Sequence, residues 1–223
     1  MPNDTTLKLV LTHYDRLGKW HDETPDLNWM IPDYHRLQLE HFIWKETQNV
    51  GHVRILEIGA EGRRPYLEYL GEHYVTVNID DPTEVDWGHE TPPGVSKPEV
   101  QCDIVNMPFP NSDFDICIAT EVFEHLLDPW AAIKEVYRVL KPGGKGLFTT
   151  PFMWPYHGCQ RYPDLWRFTG DGWRLLCKDF SSVRVLPTEF TEMSPIWEVA
   201  KHENMGTREE VRMATGYLVS ATK

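Results

Sequence analysis

From Val53 onward the sequence sets short apolar runs between longer helical stretches, and this alternation constrains the fold more than any other feature. Arg54–Ile58, Tyr74–Ile79, Phe114–Ala119 and Lys145–Thr150 are brief and mostly apolar, as buried strands of a parallel sheet are. A strand, helix, strand rhythm calls for a doubly wound α/β sheet. One connecting helix is written clearly: Asp128 suits its cap and Pro129 its first position, while Ile133, Val136, Tyr137 and Leu140 recur on one face. It is expected to stop at Lys141-Pro142-Gly143-Gly144, a turn into the strand Lys145–Thr150. Tyr217–Ser220 reads as a last strand. A further helix is expected from about Asp33 to Thr47, with Leu37, Phe42, Ile43 and Trp44 on its apolar face. These signals divide the chain into an N-terminal helical extension, 1–50, and an α/β domain, 51–223.

Composition narrows the function classes. A chain of 223 residues with 41% hydrophobic and 25% charged residues suits one soluble domain with a full core. No apolar run approaches the ~20 residues of a membrane helix, and Met1–Val10 lacks the form of a signal peptide. A cytoplasmic protein is expected. The four cysteines, Cys102, Cys117, Cys159 and Cys177, form no close pair and read as reduced, packed thiols. A net charge of −12 without a basic run disfavours a nucleic-acid substrate, whose phosphates call for a basic face.

Four segments in order suggest a nucleoside-like cofactor. Ile55–Gly62, ILEIGAEG, places Glu57 near a strand end and Gly59 and Gly62 in the following turn, where backbone can approach a ligand. Asp80 closes the next strand, where a carboxylate can accept both ribose hydroxyls; its plainer reading is a solvated turn residue. The third segment is Gln101–Trp130 and the fourth the capped helix with its KPGG turn. From Asp103 to Pro151 the chain resembles class I S-adenosylmethionine-dependent methyltransferases of the type 11 group, in which D-x-x-x-[LM]-P-F precedes S-x-F-D and E-H-x-x-D-P. The resemblance covers about Val53–Phe180.

That resemblance implies a mainly parallel, seven-stranded Rossmann-like sheet and S-adenosylmethionine as cofactor, with S-adenosylhomocysteine as product. Gly59, Ala60 and Gly62 would form the cofactor loop, with Glu57 and Gly59 near the methionine end. Asp80 would bind ribose, Asp103 would face the adenine amino group and Ile104 would pack on the ring. Thr120 and Glu121 would border the methionine portion. The usual E/D-x-G-x-G-x-G loop is altered, because Glu61 and Arg63 stand where glycine is common, and Arg64-Pro65-Tyr66 follows.

Methyl transfer is an in-line displacement that asks mainly for alignment and exclusion of water. A hydroxyl acceptor must also lose a proton, to a base or beside a metal. His125 and His157 are the candidate bases. The stretch around His157, Asp164, Trp166, Arg167 and Thr169 is similar to the H-x(n)-D-[YFL]-[WY]-R-[FY]-T segment of enzymes acting on glycans and small metabolites. In one reading Arg161 or Arg167 binds an anionic acceptor group, with Tyr162 and Trp166 beside Trp154 and Tyr156 in an aromatic wall. In a second, Glu121, Glu124, His125 and His157 resemble the divalent-metal set E-x-x-E-H plus His of small-RNA 2′-O-methyltransferases. In a third, His125 packs its loop and Asp164 pairs with Arg167 to hold the segment. Trp20, Trp29, Tyr34, His35 and His41 suit a lid or a dimer contact. The function expected is O-methylation of a sugar or secondary metabolite by a monomer or homodimer. A metal-dependent nucleic-acid 2′-O-methyltransferase and a non-catalytic module on the same fold are the alternatives.

Overall fold

The computed structural model describes residues 32–47, 50–62, 64–84, 95–158, 162–189 and 214–223. Their strands are β1 (Ile55–Ile58), β2 (Tyr74–Asn78), β3 (Val100–Gln101), β4 (Phe114–Thr120), β5 (Leu140–Pro151), β6 (Ser182–Glu189) and β7 (Ala214–Thr222). They form a single sheet in the order β3-β2-β1-β4-β5-β7-β6. Pairing is parallel from β3 to β5, whereas β7 runs antiparallel to both β5 and β6. The sheet is thus mainly parallel and seven-stranded, as the resemblance implied. Chain order reverses between β1 and β4, which opens a crevice beyond their carboxyl ends.

Two cores cover the two faces, and residues alternate between them along each strand. Leu56, Ile58, Cys117, Ala119 and Phe148 join one core; Ile55, Ile116, Ile118 and Leu147 join the other. Trp173, fully buried, stacks on Phe148 and meets Phe123 edge-on in the first core, with its indole N–H on Thr150 Oγ1 at 2.9 Å. Trp173 lies on α3 (Gly170–Leu176), capped by Thr169. The helix α2 (Pro129–Val139) starts as its sequence indicates, with Asp128 Oδ1 accepting from the Ala131 amide at 2.9 Å.

One expectation needs correction. Lys141–Gly144 does not stand apart as a turn. Strand β5 already begins at Leu140, opposite Phe114, and a register shift absorbs the extra residues before Lys145 pairs with Ile116. Gly143 makes this feasible with φ +77. The helix α1 (Pro32–Thr47) packs on the sheet. Leu39, Phe42 and Ile43 are buried in the second core, and Glu46 binds Lys145 of β5 and Arg184 of β6. Trp20 and Trp29 lie outside the described residues, as do the side chains of Tyr34, His35, Leu37 and His41.

Cys102 is half-buried, while Cys117 and Cys177 are buried free thiols. Burial pushes the Cys177 thiol up to about 12, which leaves it unreactive near neutral pH. Cys159 lies outside the described residues. Among the described residues no helix is long and apolar enough to cross a membrane.

Candidate active site

The turn after β1 is built for close approach. Gly59 has φ +71, and a Cβ there would stand 2.5 Å from Val122 Cγ2, so glycine alone fits between the β1 and β4 ends. The Gly59 and Ala60 amides donate to Val77 O at 2.9 and 3.2 Å, and Asn78 Nδ2 donates to Ala60 O at 3.1 Å. The loop is therefore fastened to β2. Gly62 is half-buried and Glu61 exposed; Arg63 lies outside the described residues.

Beneath the loop lies an ion network that the sequence reading missed. The Arg64 guanidinium bridges two buried carboxylates: Nη1 contacts Glu40 of α1, and Nη2 lies 2.8 Å from Glu57 Oε1. Nη2 also donates to Thr120 Oγ1 at 2.9 Å. Tyr74 donates its hydroxyl to Glu57 and accepts the Arg64 amide at 2.9 Å. Burial raises the Glu57 carboxyl above its ordinary value, against the pull of Arg64 and Tyr74. Glu57 thus faces inward and acts on the loop by holding it. Glu40 carries the one sequence signal that was available, an acid between Leu39 and Phe42 on an otherwise apolar face.

At the tip of β2, Asp80 is half-buried and Ile79 is 51% exposed. Across from it Ile104 is buried, Val105 is exposed, and Asp103 Oδ1 caps its own turn by accepting from the Val105 amide at 3.1 Å. An acid beside exposed apolar side chains suits a ribose joined to a flat base. At the end of β4, Glu121 has φ +55, an uncommon conformation for a residue with a side chain and one that often marks a functional site. Its Oε1 accepts from Thr149 Oγ1 at 2.8 Å, and its amide donates to Thr149 O at 3.0 Å.

One turn further on, three side chains converge. Glu124, His125 and His157 place one ligand-type atom each within 4.8 Å of one another. His125 donates Nδ1–H to Pro163 O at 2.9 Å, and His157 Nδ1 lies 3.2 Å from Asp164 Oδ2. His157 Nδ1 also lies 3.3 Å from Pro155 O. The Nε2 atoms stand 3.7 and 4.0 Å from Glu124 Oε1. Glu124 is fully buried, and neither of its carboxylate oxygens has a hydrogen-bond partner. Burial, and then the charge of Glu121, raises its carboxyl well above the usual range. Burial also lowers the His125 imidazole. Asp164 is held down to about 2, chiefly by the Arg167 guanidinium.

Three of the four residues expected to hold a metal therefore come together, while Glu121 turns to Thr149. Two imidazoles and a buried carboxylate whose oxygens lack hydrogen bonds form a donor set that fits a divalent cation. Other expected site residues serve the segment itself. Arg167 is engaged by Asp164 and by Trp154 O and Trp166 O. Trp166 donates its indole N–H to Leu126 O at 2.7 Å and meets Trp130 edge-on. Tyr156 is exposed. Tyr162 donates its hydroxyl to Asp80 Oδ2 at 3.0 Å. Arg161 lies outside the described residues.

Part of the chain is similar to known proteins. Residues 56–148 match the family model of a methyltransferase domain. An uncharacterized methyltransferase of Mycolicibacterium gilvum is 32% identical over 121 residues, covering 52% of this chain and 47% of its own. The chain spans less than half the length of such curated relatives. A SAM-dependent methyltransferase from Thermotoga maritima superposes with a TM-score of 0.55 at 17% identity, covering 97% of this chain and 99% of its own. One from Mesorhizobium loti gives 0.52 at 18%, covering 83% and 96%. At these identities the structures show a shared fold.

Proposed function

We propose that this chain, whose residues 56–148 carry a methyltransferase domain of the class I fold, methylates a hydroxyl of a small molecule, a sugar or secondary metabolite, with S-adenosylmethionine. One observation carries the reading. Consecutive residues Tyr162, Pro163 and Asp164 reach Asp80, His125 and His157 respectively, so Asp80 and both imidazoles are tied to one short segment. The cofactor, when bound, supplies a methyl group on a sulfonium and leaves as the neutral thioether.

In this reading Asp80 accepts the ribose hydroxyls, Ile79 and Val105 flank the base, and the Gly59 turn seats the methionine end. His157 is the base for the acceptor. Pro155 O accepts its Nδ1–H at 3.3 Å with Asp164 Oδ2 close by, and Nε2 takes the hydroxyl proton as the acceptor oxygen bonds the methyl carbon.

The unpartnered Glu124 carboxylate supports a second reading of the same site. Glu124, His125 and His157 would hold a divalent cation, which supplies Lewis-acid activation of the acceptor hydroxyl. The charge of −12 favours a small acceptor over a nucleic acid in either case.

Isothermal titration with S-adenosylmethionine tests the cofactor reading. The wild-type chain should bind it, and Asp80→Ala should weaken binding on the order of a hundredfold by removing two charge-assisted hydrogen bonds. Absence of binding to the wild type, or equal binding to the variant, overturns it.

A further inference from the structure

The segment after β5 is fastened along its length to the turn after β4. Besides the Pro163 and Asp164 contacts, the Leu165 and Trp166 amides both donate to Glu124 O, at 2.8 and 3.1 Å, and the Trp166 indole donates to Leu126 O. The His157 amide donates to Asp164 Oδ2 at 3.1 Å. Residues 163–166 thus sit on 124–126 as a fixed rail. Tyr162, directly before the rail, turns the other way and reaches the tip of β2.

Strand order gives this reach its meaning. Between β4 and β2 lies β1, so Tyr162 spans two strand spacings, roughly 10 Å, over the crevice where chain order reverses. Its hydroxyl ends on the carboxylate that the cofactor reading assigns to ribose. A carboxylate offers about four lone-pair sites, and the phenol takes one of them, on Oδ2.

From this juxtaposition we infer that Tyr162 is a cofactor-positioning residue, which closes the ribose edge of the crevice and ties cofactor binding to the rail that holds His125 and His157. This rests on the cofactor reading above and moves Tyr162 from the acceptor wall to the cofactor side. Cofactor bound against Asp80 and Tyr162 stiffens residues 163–166, and through Pro163 O and Asp164 it steadies both imidazoles. The acceptor site is then fully formed only after the cofactor has entered.

The test uses the full chain, Tyr162→Phe, and S-adenosylhomocysteine as probe, with titration calorimetry and hydrogen exchange as readouts. Tyr162→Phe should weaken S-adenosylhomocysteine about tenfold through loss of one hydrogen bond to a charged group. In the wild type, saturating probe should slow exchange at the Leu165 and Trp166 amides; in Tyr162→Phe, saturated equally, it should not. Unchanged affinity overturns the inference, as does equal protection in both proteins. Tighter binding by the variant also overturns it, since the phenol would then compete with ribose. If the wild type binds neither S-adenosylmethionine nor its product, the cofactor reading falls as well; if the wild type binds and the variant binds equally, only the role of Tyr162 falls. A Tyr162→Phe protein with the wild-type melting temperature excludes misfolding as the cause.

Discussion

Glu124→Gln should raise the melting temperature of the chelator-treated protein and abolish its stabilisation by divalent cations. Glu124 is fully buried, and its two oxygens lack hydrogen-bond partners. Burial and Glu121 raise its carboxyl well above the ordinary carboxylate value. A carboxyl raised in the folded state favours folding most below its unfolded value. Its contribution declines as pH rises from there towards the raised folded value. Without a cation, the wild type at neutral pH either carries an unpaired buried charge or pays to take up a proton. A neutral amide removes that cost, worth on the order of 1–3 kcal/mol, or roughly 2–12 °C in a domain of this size. The gain should vanish as pH falls towards 4.5. Mn²⁺ or Zn²⁺ should reverse the ranking, because a ligand bound by the folded state alone stabilises it. Thermal melts of both proteins at pH 5, 7 and 8, with chelator and with each ion, decide this. A wild type indifferent to every ion, melting with Glu124→Gln at all pH values, would sink the cation reading.

The same carboxylate shows why its type was visible in the sequence and its state was not. E-x-x-E-H marks Glu121, Glu124 and His125 as candidates by spacing alone. Glu121, however, takes φ +55 and turns to Thr149, while Glu124 turns inward and meets His157, which is 33 residues away. Which acid joins the histidines is decided by the bend at the end of β4, and no local pattern encodes that bend. The strands divide similarly. β1, β2, β4 and β5 are covered on both faces and so read as apolar runs. Two-residue β3 carries no periodic signal, and β6 alternates with polar residues and contains Pro187, as an edge strand can. The link from Tyr162 to Asp80 joins residues 82 apart through strand order alone. Arg64 stood in plain view in an altered glycine loop, but its partners come from α1, β1 and β4.

Arg64→Ala is expected to be the most destabilising of these changes. Its guanidinium serves Glu40 and Glu57 together, both nearly inaccessible to solvent, and also Thr120 at the end of β4. A buried ion cluster adds little over a well-packed apolar one, yet removal of its cation leaves the anions desolvated and facing each other. Such a loss costs about 3–5 kcal/mol, a large share of the 5–15 kcal/mol typical of a domain. The expected fall in melting temperature is roughly 6–20 °C, and it should change little with salt, because buried charges are weakly screened. Arg64→Lys should recover only part of it, since one ammonium cannot offer a planar fork to two carboxylates and a hydroxyl. Neutralising the partners supplies the internal check. Arg64→Met combined with Glu40→Gln and Glu57→Gln should regain most of the stability, with a coupling energy well above that of independent sites. S-adenosylmethionine binding should not return with it, because the β1 and β4 ends, and Gly59 wedged against Val122 between them, would no longer be drawn together by charge. Urea unfolding of the wild type, Arg64→Met, the Glu40→Gln/Glu57→Gln pair and the triple variant gives the first result, and calorimetric titration of the refolded variants gives the second. Full additivity would show that Arg64 is a spectator; recovery of both stability and binding would show that the network serves folding alone.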